Sequence, residues 1–217
     1  MFCAFTISKN EENEVYMDYS TIKSNLERNG FAVSVFNDVQ EANVYLNGAI
    51  DGKSVGFGGS VTLDETGILK LLETHNDVLY RFDNPDGKTP TEVMKESLTA
   101  DVFLTSANGI AETGEIINID GNCNRVAGEL YGHEKVYIIV GNNKIAPDFD
   151  SALWRARNIA APKNAKRLHK NTPCAVNADR CYNCNSPERI CKGLVVLWRK
   201  PTNCPYEVVI IDQPLGY

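Results

Sequence analysis

The chain has 217 residues, of which 43% are hydrophobic and 23% are charged, and its formal net charge at pH 7 is -6. This composition is typical of a folded globular protein and excludes an intrinsically disordered chain. The excess of acidic residues also argues against nucleic-acid binding, which needs a basic surface to neutralise phosphates. The local basic stretch at residues 163–170 is interpreted as the solvated face of a helix.

The apolar runs of the chain are short. Two of the longest, at residues 136–141 and 193–198, fall far below the roughly 20 residues that cross a bilayer, so no membrane span is expected. The first twenty residues lack the basic region and apolar core of a secretory signal. We therefore expect a cytoplasmic protein, in which clustered cysteines are more typical of metal or redox sites than of disulfides.

Predicted strands and helices alternate along the chain. Short β-branched or aromatic runs predict strands at residues 31–36, 54–59, 78–82, 101–107, 115–119, 136–141, 193–198 and 207–212. Helical periodicity and capping signals predict helices at residues 18–28, 39–50, 63–73, 90–98 and 148–161. The alternation predicts an α/β fold with a mostly parallel sheet flanked by helices, organised as a single domain over residues 1–217.

Three helix boundaries carry sequence signals. Thr62 with Glu65, and Thr89 with Glu92, have the spacing of capping boxes, which predicts a helix start at each pair. Pro162 is expected to interrupt the last long helix because proline has no backbone N–H to donate.

A glycine-rich loop follows the strand predicted at residues 54–59. There Gly58 and Gly59 would let the backbone come close to a ligand, and Ser60 would precede free helix amides that can bind a phosphate or carboxylate. The loop lacks the dinucleotide spacing G-x-G-x-x-G. A tight strand-to-helix turn without a ligand is the alternative.

A second polar segment follows the strand predicted at residues 101–107. Ligands of parallel sheets bind beyond the carboxyl ends of the strands, which places Asn108 on the same rim as the glycine-rich loop. Glu112 is a candidate nucleophile or general base there, with a carboxylate that caps a turn as the alternative. Arg125 is a candidate ligand for an anionic substrate, with a surface salt bridge as the alternative.

Four of the seven cysteines lie close together in a polar segment at residues 172–192: Cys174, Cys181, Cys184 and Cys191. Four thiolates suit either zinc or an iron–sulfur cluster. The spacing C-x6-C-x2-C-x6-C matches neither a zinc ribbon with two pairs nor a bacterial ferredoxin run. A cysteine-rich metal-binding loop is therefore expected, with zinc and iron–sulfur both open and disulfides or free thiols as a further alternative.

The other cysteines receive simpler interpretations. Cys123 precedes a predicted helix and is either an activated thiol or a packed side chain. Cys3 and Cys204 are expected to be structural. Ser186, followed by Pro187, is expected to begin one short helical turn that carries Cys191.

Several of these segments resemble one protein family. The chain is similar to lactate-utilisation (LUD) domain proteins, in the subgroup with a C-terminal four-cysteine segment, from about residue 18 to the closing LGY. The resemblance lies in GFGGSVTLDETGI (56–68), ANGIAETGEI (107–116), Asn124-Arg125 leading to EKVYIIVGNNKI (134–145), and TPCAVNADRCYNCNSPERIC (172–191).

The resemblance implies both a fold and a role. The fold is expected to be similar to the group of ribose-phosphate isomerase, glucosamine-phosphate deaminase and coenzyme A transferase. By likeness to that group, Gly58, Gly59, Ser60 and Glu112 fall where small anionic ligands are bound or attacked. The implied role, found in some members, is participation in the oxidation of lactate to pyruvate as a component of an iron–sulfur protein system with partner subunits. Glu115 stands where family members often have threonine, and it adds negative charge to the rim.

Three functions stay open at this point. The leading hypothesis is a cytoplasmic LUD protein that binds a small anionic metabolite and carries electrons through a cluster held by the four cysteines, expected to be 4Fe–4S. The second is a coenzyme A transferase-like or sugar-phosphate isomerase-like enzyme that uses Glu112, with a structural zinc. The third is a zinc-stabilised binding module without catalysis. Each of them allows a homo-oligomer.

Overall fold

The computed structural model describes residues 7–9, 15–80, 87–177 and 179–217. Cys3 and the end of the strand predicted at residues 78–82 lie outside the described residues. The strands are β1 (Ile7–Lys9), β2 (Val15–Met17), β3 (Ala32–Phe36), β4 (Ser54–Phe57), β5 (Asp77–Leu79), β6 (Val102–Thr105), β7 (Gly109–Ala111), β8 (Ile116–Asp120), β9 (Lys135–Gly141), β10 (Ile145–Ala146), β11 (Gly193–Leu197) and β12 (Tyr206–Ile211). The α-helices are α1 (Ser20–Arg28), α2 (Val39–Ala49), α3 (Val61–Thr66), α4 (Ile68–Leu72), α5 (Pro90–Ser97), α6 (Asn124–Leu130), α7 (Phe149–Arg155), α8 (Ala161–Arg167) and α9 (Pro173–Asn177).

The main sheet has six strands in the order β3-β12-β9-β6-β4-β5, and every neighbouring pair is parallel. Its central strands are continuous apolar runs because side chains pack on both of their faces. All of β12 is buried, as is β9 after its first residue. Alternate side chains of these strands belong to two different hydrophobic clusters. One cluster includes Phe103 and the other includes Tyr137. The α/β fold with a mostly parallel sheet flanked by helices is thereby confirmed.

A second sheet of four strands, in the order β10-β7-β8-β11, was not predicted as a separate unit. It is mixed, because β10 pairs with β7 in parallel while the other pairs are antiparallel. In the pairing of β11 with β8, Gly193 lies opposite Asp120. This register brings the chain that leaves the cysteine-rich segment directly to the carboxyl end of β8.

One predicted capping box is confirmed and the other is wrong. Thr89 accepts a hydrogen bond from the backbone N–H of Glu92, whose carboxylate accepts one from the backbone N–H of Thr89. By contrast, α3 begins after Ser60, and the side chains of Thr62 and Glu65 bond to distant segments instead. Tertiary contacts thus override the local capping signal at the glycine-rich loop.

The prediction that Pro162 interrupts the last long helix is also wrong. A π-helix, Ala156–Ala160, joins α7 to α8, so the helical path continues through Pro162 to Arg167. In the π-helix each hydrogen bond spans five residues instead of four. This change of spacing occurs directly before Pro162, which has no backbone N–H to donate. Within the described residues, the structure contains no helix of the length and hydropathy that a membrane crossing needs.

Candidate functional site

A cavity of about 370 Å³ lies at the carboxyl ends of three strands, β4, β6 and β8. Residues 58–62, residues 106–108 and several residues between 119 and 125 form three of its walls. Lys144, which follows β9, and residues of α8 contribute to the remaining lining. The carboxyl edge of the strands is where open parallel sheets bind ligands.

All five residues that the sequence predicts as ligand-binding line this one cavity: Gly58, Gly59, Ser60, Asn108 and Arg125. They come from two loops and from the start of α6, and the parallel order of β4 and β6 brings the two loops to the same edge. The structure therefore joins the predicted binding residues into one candidate site.

Glu112, the candidate nucleophile or base, is not among the residues that line the cavity. The chain leaves the rim along β7, and the backbone N–H of Glu112 donates to the carbonyl oxygen of Ala146 at 2.8 Å. The Glu112 carbonyl oxygen accepts from Asn25 Nδ2 at 2.6 Å. Partial burial raises the pKa of the Glu112 carboxyl above its usual range. The carboxylate and the glycine-rich loop thus do not form a common catalytic arrangement.

Arg125 and Gly58 pack directly on each other. A Cβ atom at position 58 would overlap the aliphatic stem of Arg125. Glycine is therefore required here for the approach of the arginine side chain, whereas the sequence suggested only a close approach of a ligand.

The guanidinium of Arg125 binds the walls of the cavity together. Its Nη1 donates to the carbonyl oxygen of Ser106 at 3.0 Å and to Asn118 Oδ1, and its Nη2 donates to Asn108 Oδ1 at 3.2 Å and to the carbonyl oxygen of Ile119 at 2.9 Å. Arg125 is only 9% exposed and its Nε lies 3.8 Å from Asp120 Oδ2, so the salt bridge considered as its alternative role is present but is not at the surface. Because its terminal N–H groups already bind protein atoms, Arg125 offers positive charge more than a free hydrogen-bonding fork.

Lys144 is buried more deeply than Arg125 and is only 3% exposed. Its Nζ donates to Thr62 Oγ1 at 2.5 Å and to Ser106 Oγ at 2.8 Å. Burial, together with the positive charges of Arg155 and Arg125, lowers the pKa of Lys144 to about 7. Lys144 is not among the residues predicted from the sequence, and its only local signal is its position just after the long buried strand β9.

Arg155 was missed as well. From α7 its Nε donates to the carbonyl oxygen of Asn143 at 2.8 Å, and its Nη1 donates to the carbonyl oxygens of Asn108 and Tyr217 at 2.5 and 3.2 Å. Burial lowers the pKa of Arg155 to about 10. This side chain holds three segments of the site in place.

The charge of the cavity is opposite in sign to that of the protein. Its lining includes the cationic side chains of Arg125, Arg167 and Lys170, the amine of Lys144, whose pKa is lowered, and one carboxylate, that of Asp120. The chain as a whole carries -6. A concave site with this local excess of positive charge attracts anions, because the low-dielectric walls concentrate the field.

The cysteine-rich segment lies against the same cavity. Ile190 lines it, and a Cβ atom at Gly121 would lie 2.9 Å from the carbonyl oxygen of Ile190. Glycine at position 121 therefore lets the backbone of the segment approach the end of β8. The segment is placed by this contact and by the β8–β11 pairing.

The four clustered cysteines are all half-buried free thiols, and Cys174 lies on α9 while the other three lie outside helices and strands. Within the described parts of the chain, no three side chains of the His, Cys, Asp and Glu types are arranged as a metal site. The structure thus places the predicted ligands in one segment without gathering their sulfur atoms around one point.

Several sulfur atoms of this segment receive hydrogen bonds. The backbone N–H of Asn183, a residue with a φ of 46°, donates to Cys181 Sγ at 3.3 Å. Arg189 Nε donates to Cys191 Sγ at 3.1 Å, and Arg189 Nη1 donates to the carbonyl oxygen of Cys184 at 2.7 Å. Such donors stabilise thiolates, which are the form of cysteine that binds metals.

Two smaller predictions about cysteines can be compared with the structure. Ser186 begins a single hydrogen-bonded turn that closes at Arg189, so the prediction that Cys191 lies on a helical turn is wrong. Cys204 is buried in the core beside β12, as a structural cysteine would be. Cys123 is exposed and precedes α6 with a φ of 61°.

The family model of the LUD domain matches residues 19–211. The chain belongs to the LUD domain family. Membership relates this LUD domain to lactate utilisation at the level of the family. The crystal structure of a DUF162 family protein from Deinococcus radiodurans is similar to this LUD domain with a TM-score of 0.49 and 13% sequence identity, over 88% of this chain and 94% of that chain. No curated protein matches the chain.

The segments that carried the family resemblance converge in this LUD domain. Residues 56–68 contain the glycine-rich loop, residues 107–116 contain Asn108, and residues 134–145 contain Lys144. The glycine-rich loop, Asn108 and Lys144 line the cavity, as does Ile190 of the cysteine-rich segment. The resemblance therefore centres on one place in the fold.

Proposed function

We propose that this LUD domain binds a small anionic metabolite in the cavity as a component of a 2-hydroxy-acid (lactate) oxidation system. In this proposal the cysteine-rich segment holds an iron–sulfur cluster, expected to be 4Fe–4S, that exchanges electrons with partner subunits. The observation that carries the proposal is the contact of the two parts. The cysteine-rich segment supplies Ile190 to the wall of a cationic cavity.

The lining of the cavity supports an anionic ligand that also has hydroxyl or carbonyl groups. Cationic side chains exceed carboxylates, and Ser60 and Asn108 add neutral polar groups at the rim. A 2-hydroxy acid has the matching chemistry, because its carboxylate needs positive charge and its hydroxyl needs a donor or acceptor. Burial of Arg125 makes its interaction with an anion stronger than it would be at the surface.

The donor set of the cysteine-rich segment fits an iron–sulfur cluster in its chemistry. Cys174, Cys181, Cys184 and Cys191 would hold the cluster, and its N–H donors, including Arg189, would offset the charge of the thiolates. A bound cluster would supply one-electron transfer beside the cavity. Since the sulfur atoms are not gathered around one point, we expect residues 174–191 to rearrange when the cluster binds.

The metal part of the proposal is tested by anaerobic purification with iron, sulfide and zinc analysis. We expect brown protein that contains iron and sulfide, and we expect Cys181→Ser to lose both. Cys123→Ser is the matched control, since Cys123 is a free thiol outside the segment, and it should keep the cluster. Colourless protein with stoichiometric zinc would refute electron transfer and would favour the zinc-stabilised module.

The ligand part is tested separately by calorimetric titration with lactate and with pyruvate. Lys170→Ala removes a cation from the lining of the cavity and should weaken binding, and Lys95→Ala removes an exposed lysine of α5 and should not. Equal effects of the two variants, or no binding by the unmodified protein, would show that the cavity is not the site.

The proposal also includes a cytoplasmic location and a finer fold likeness to the ribose-phosphate isomerase, glucosamine-phosphate deaminase and coenzyme A transferase group. The position of Glu112 outside the cavity lining gives the transferase-like or isomerase-like mechanism no support from geometry. An assay of Glu112→Gln against coenzyme A esters and sugar phosphates tests this. Turnover by the unmodified protein that is lost in this variant would restore the enzyme hypothesis.

A further inference from the structure

Lys144 is an amine in the lining of the cavity whose charge is not matched by a neighbouring carboxylate. It is 3% exposed, and it forms no ion pair with an acidic side chain of the described residues. A lysine this deeply buried is ordinarily paired, because desolvation of an ammonium group is costly. The arrangement therefore favours the neutral amine.

The two hydrogen-bond partners of the Lys144 amine are hydroxyl groups. The Thr62 hydroxyl donates to the carbonyl oxygen of Leu215 at 3.3 Å, so it accepts from the lysine. The Ser106 hydroxyl lies 2.8 Å from Nζ and has no other hydrogen-bond partner within the described residues. A hydroxyl can donate as well as accept, so the Ser106 hydroxyl suits an uncharged amine, whose lone pair can accept its hydrogen.

Two buried guanidinium groups act on the same amine. The positive charges of Arg155 and Arg125 oppose protonation of Lys144, and the Glu65 carboxylate has a smaller effect of opposite sign. Together with burial, they hold the pKa of Lys144 at about 7, where a large fraction of the amine is neutral at physiological pH. Desolvation and a neighbouring cation are the two conditions that make a lysine nucleophilic toward carbonyl compounds.

We propose that Lys144 is a nucleophile that forms an imine with a small carbonyl compound that bears an anionic group, namely a 2-oxo acid. In this step the amine nitrogen adds to the carbonyl carbon, and the resulting carbinolamine loses water. A C–N bond forms, the C–O bond breaks, and both hydrogens of the departing water come from the amine. No oxidant or reductant takes part.

The choice of a 2-oxo acid rests on the proposed function of the cavity. The carboxylate of the ligand would be held by the positive lining that the proposal assigns to anion binding, and its adjacent carbonyl carbon would then face the amine. A neutral ketone has no carboxylate to bind the positive lining, and a 2-hydroxy acid has no carbonyl carbon to react with the amine. The site would thus form a covalent bond with the oxidised form, the 2-oxo acid, and not with the reduced form, the 2-hydroxy acid.

The experiment traps the imine by reduction. The full-length protein is incubated with pyruvate and sodium cyanoborohydride at neutral pH and is analysed by intact mass and peptide mapping. We expect one adduct, heavier by the mass of pyruvate less one oxygen atom, on Lys144. We expect Lys144→Arg, which is basic but has no free amine, and Lys144→Met, which keeps the length, to lose this adduct.

Two controls separate a reactive lysine from a merely accessible one. Acetone, which has the carbonyl but no carboxylate, should label far less, and an excess of lactate should suppress labelling by pyruvate in the unmodified protein. The lactate competition needs no variant, so it tests the proposal even if a Lys144 substitution prevents folding. Labelling that is spread over surface lysines, or that lactate leaves unchanged, would overturn the assignment of Lys144.

The failure of this inference can be distinguished from failure of the proposed function. If pyruvate and lactate bind in calorimetry but no adduct forms, the anion site stands and the imine is refuted. If neither acid binds and no adduct forms, both the anion site and the imine fail. The iron and sulfide analysis is independent of either result.

Discussion

The cavity and the cysteine-rich segment touch each other, yet they are organised in opposite ways. The cavity walls are joined by buried charged side chains whose hydrogen bonds are largely made within the protein, as those of Arg125 and Arg155 are. The cysteine-rich segment is half-buried, has little regular structure apart from α9, and holds its thiols without a shared centre. The cavity is thus held by contacts made within the protein, whereas under the proposed function the segment would be completed by a bound group.

The largest expected effect concerns the walls of the cavity. Arg125→Leu removes the guanidinium hydrogen bonds to the buried oxygens of Asn118 and Ser106, and a hydrogen bond from a charged group contributes about 1.5–3 kcal/mol. We expect a loss of about 3 kcal/mol in the free energy of unfolding, measured by urea denaturation. Arg167→Ala, at an exposed position of the same lining, is the control and should change stability by less than about 0.5 kcal/mol. Similar losses of stability in both variants would show that Arg125 does not stabilise the cavity walls more than an exposed residue of the lining does.

The second prediction concerns Lys144 and pH. Since its pKa is about 7 in the folded state and about 10.4 in the unfolded chain, the unfolded state binds more protons between these values, and stability rises with pH across that window. Relative to Lys144→Met, the unmodified protein should therefore gain stability as the pH rises from about 7 to about 10. Below about pH 7 both states of the unmodified protein carry the charge, and the difference should become constant. A pH-independent difference would show that Lys144 stays charged in the fold.

A smaller effect is expected at the contact between the glycine-rich loop and Arg125. Gly58→Ala places a methyl group where the arginine stem lies, and overpacking of this kind costs about 1–3 kcal/mol. We expect a lower melting temperature and weaker binding of the anionic ligand, measured by thermal unfolding and titration. Gly48→Ala is the matched control, because a methyl group at that helical position meets no atom within 4 Å. A stabilised Gly58→Ala variant would refute the packing assigned to this glycine.

The smallest effect is expected in the cysteine-rich segment of the metal-free protein. Cys184→Ser should change the free energy of unfolding by less than about 0.5 kcal/mol, because the thiol is half-buried and bonds to no other sulfur. In metal-loaded protein the same variant should lose the stabilisation that the metal provides. Equal stability of loaded and metal-free protein would contradict the proposed dependence of the segment on a bound group.

The sequence predicts the strands and loops that form the site well, because these depend on local sequence patterns. Buried parallel strands need uninterrupted apolar runs, and residues 136–141 and 207–212 were recognised in this way. The rule that ligands bind at the carboxyl edge then brought Gly58 and Asn108 to one rim. Both residues line the cavity.

The charged interior of the site was not predictable from local patterns. Lys144 meets Thr62 across 82 residues of sequence, and Arg155 meets the carbonyl oxygen of Asn108 across 47. The same long-range contact explains why the capping box at Thr62 failed, since its hydroxyl bonds to the lysine. Glu112 does not line the cavity although it is close to Asn108 in sequence, because β7 lies between the two residues.

The π-helix before Pro162 has a geometric consequence for the mouth of the cavity. A single surplus residue in a helix rotates everything that follows it by about 100° around the helix axis. Asn164 and Arg167 lie downstream of Ala156–Ala160 and face the cavity with that rotation included. Removal of one residue from this turn should restore regular α-helical winding and turn both side chains away from the opening.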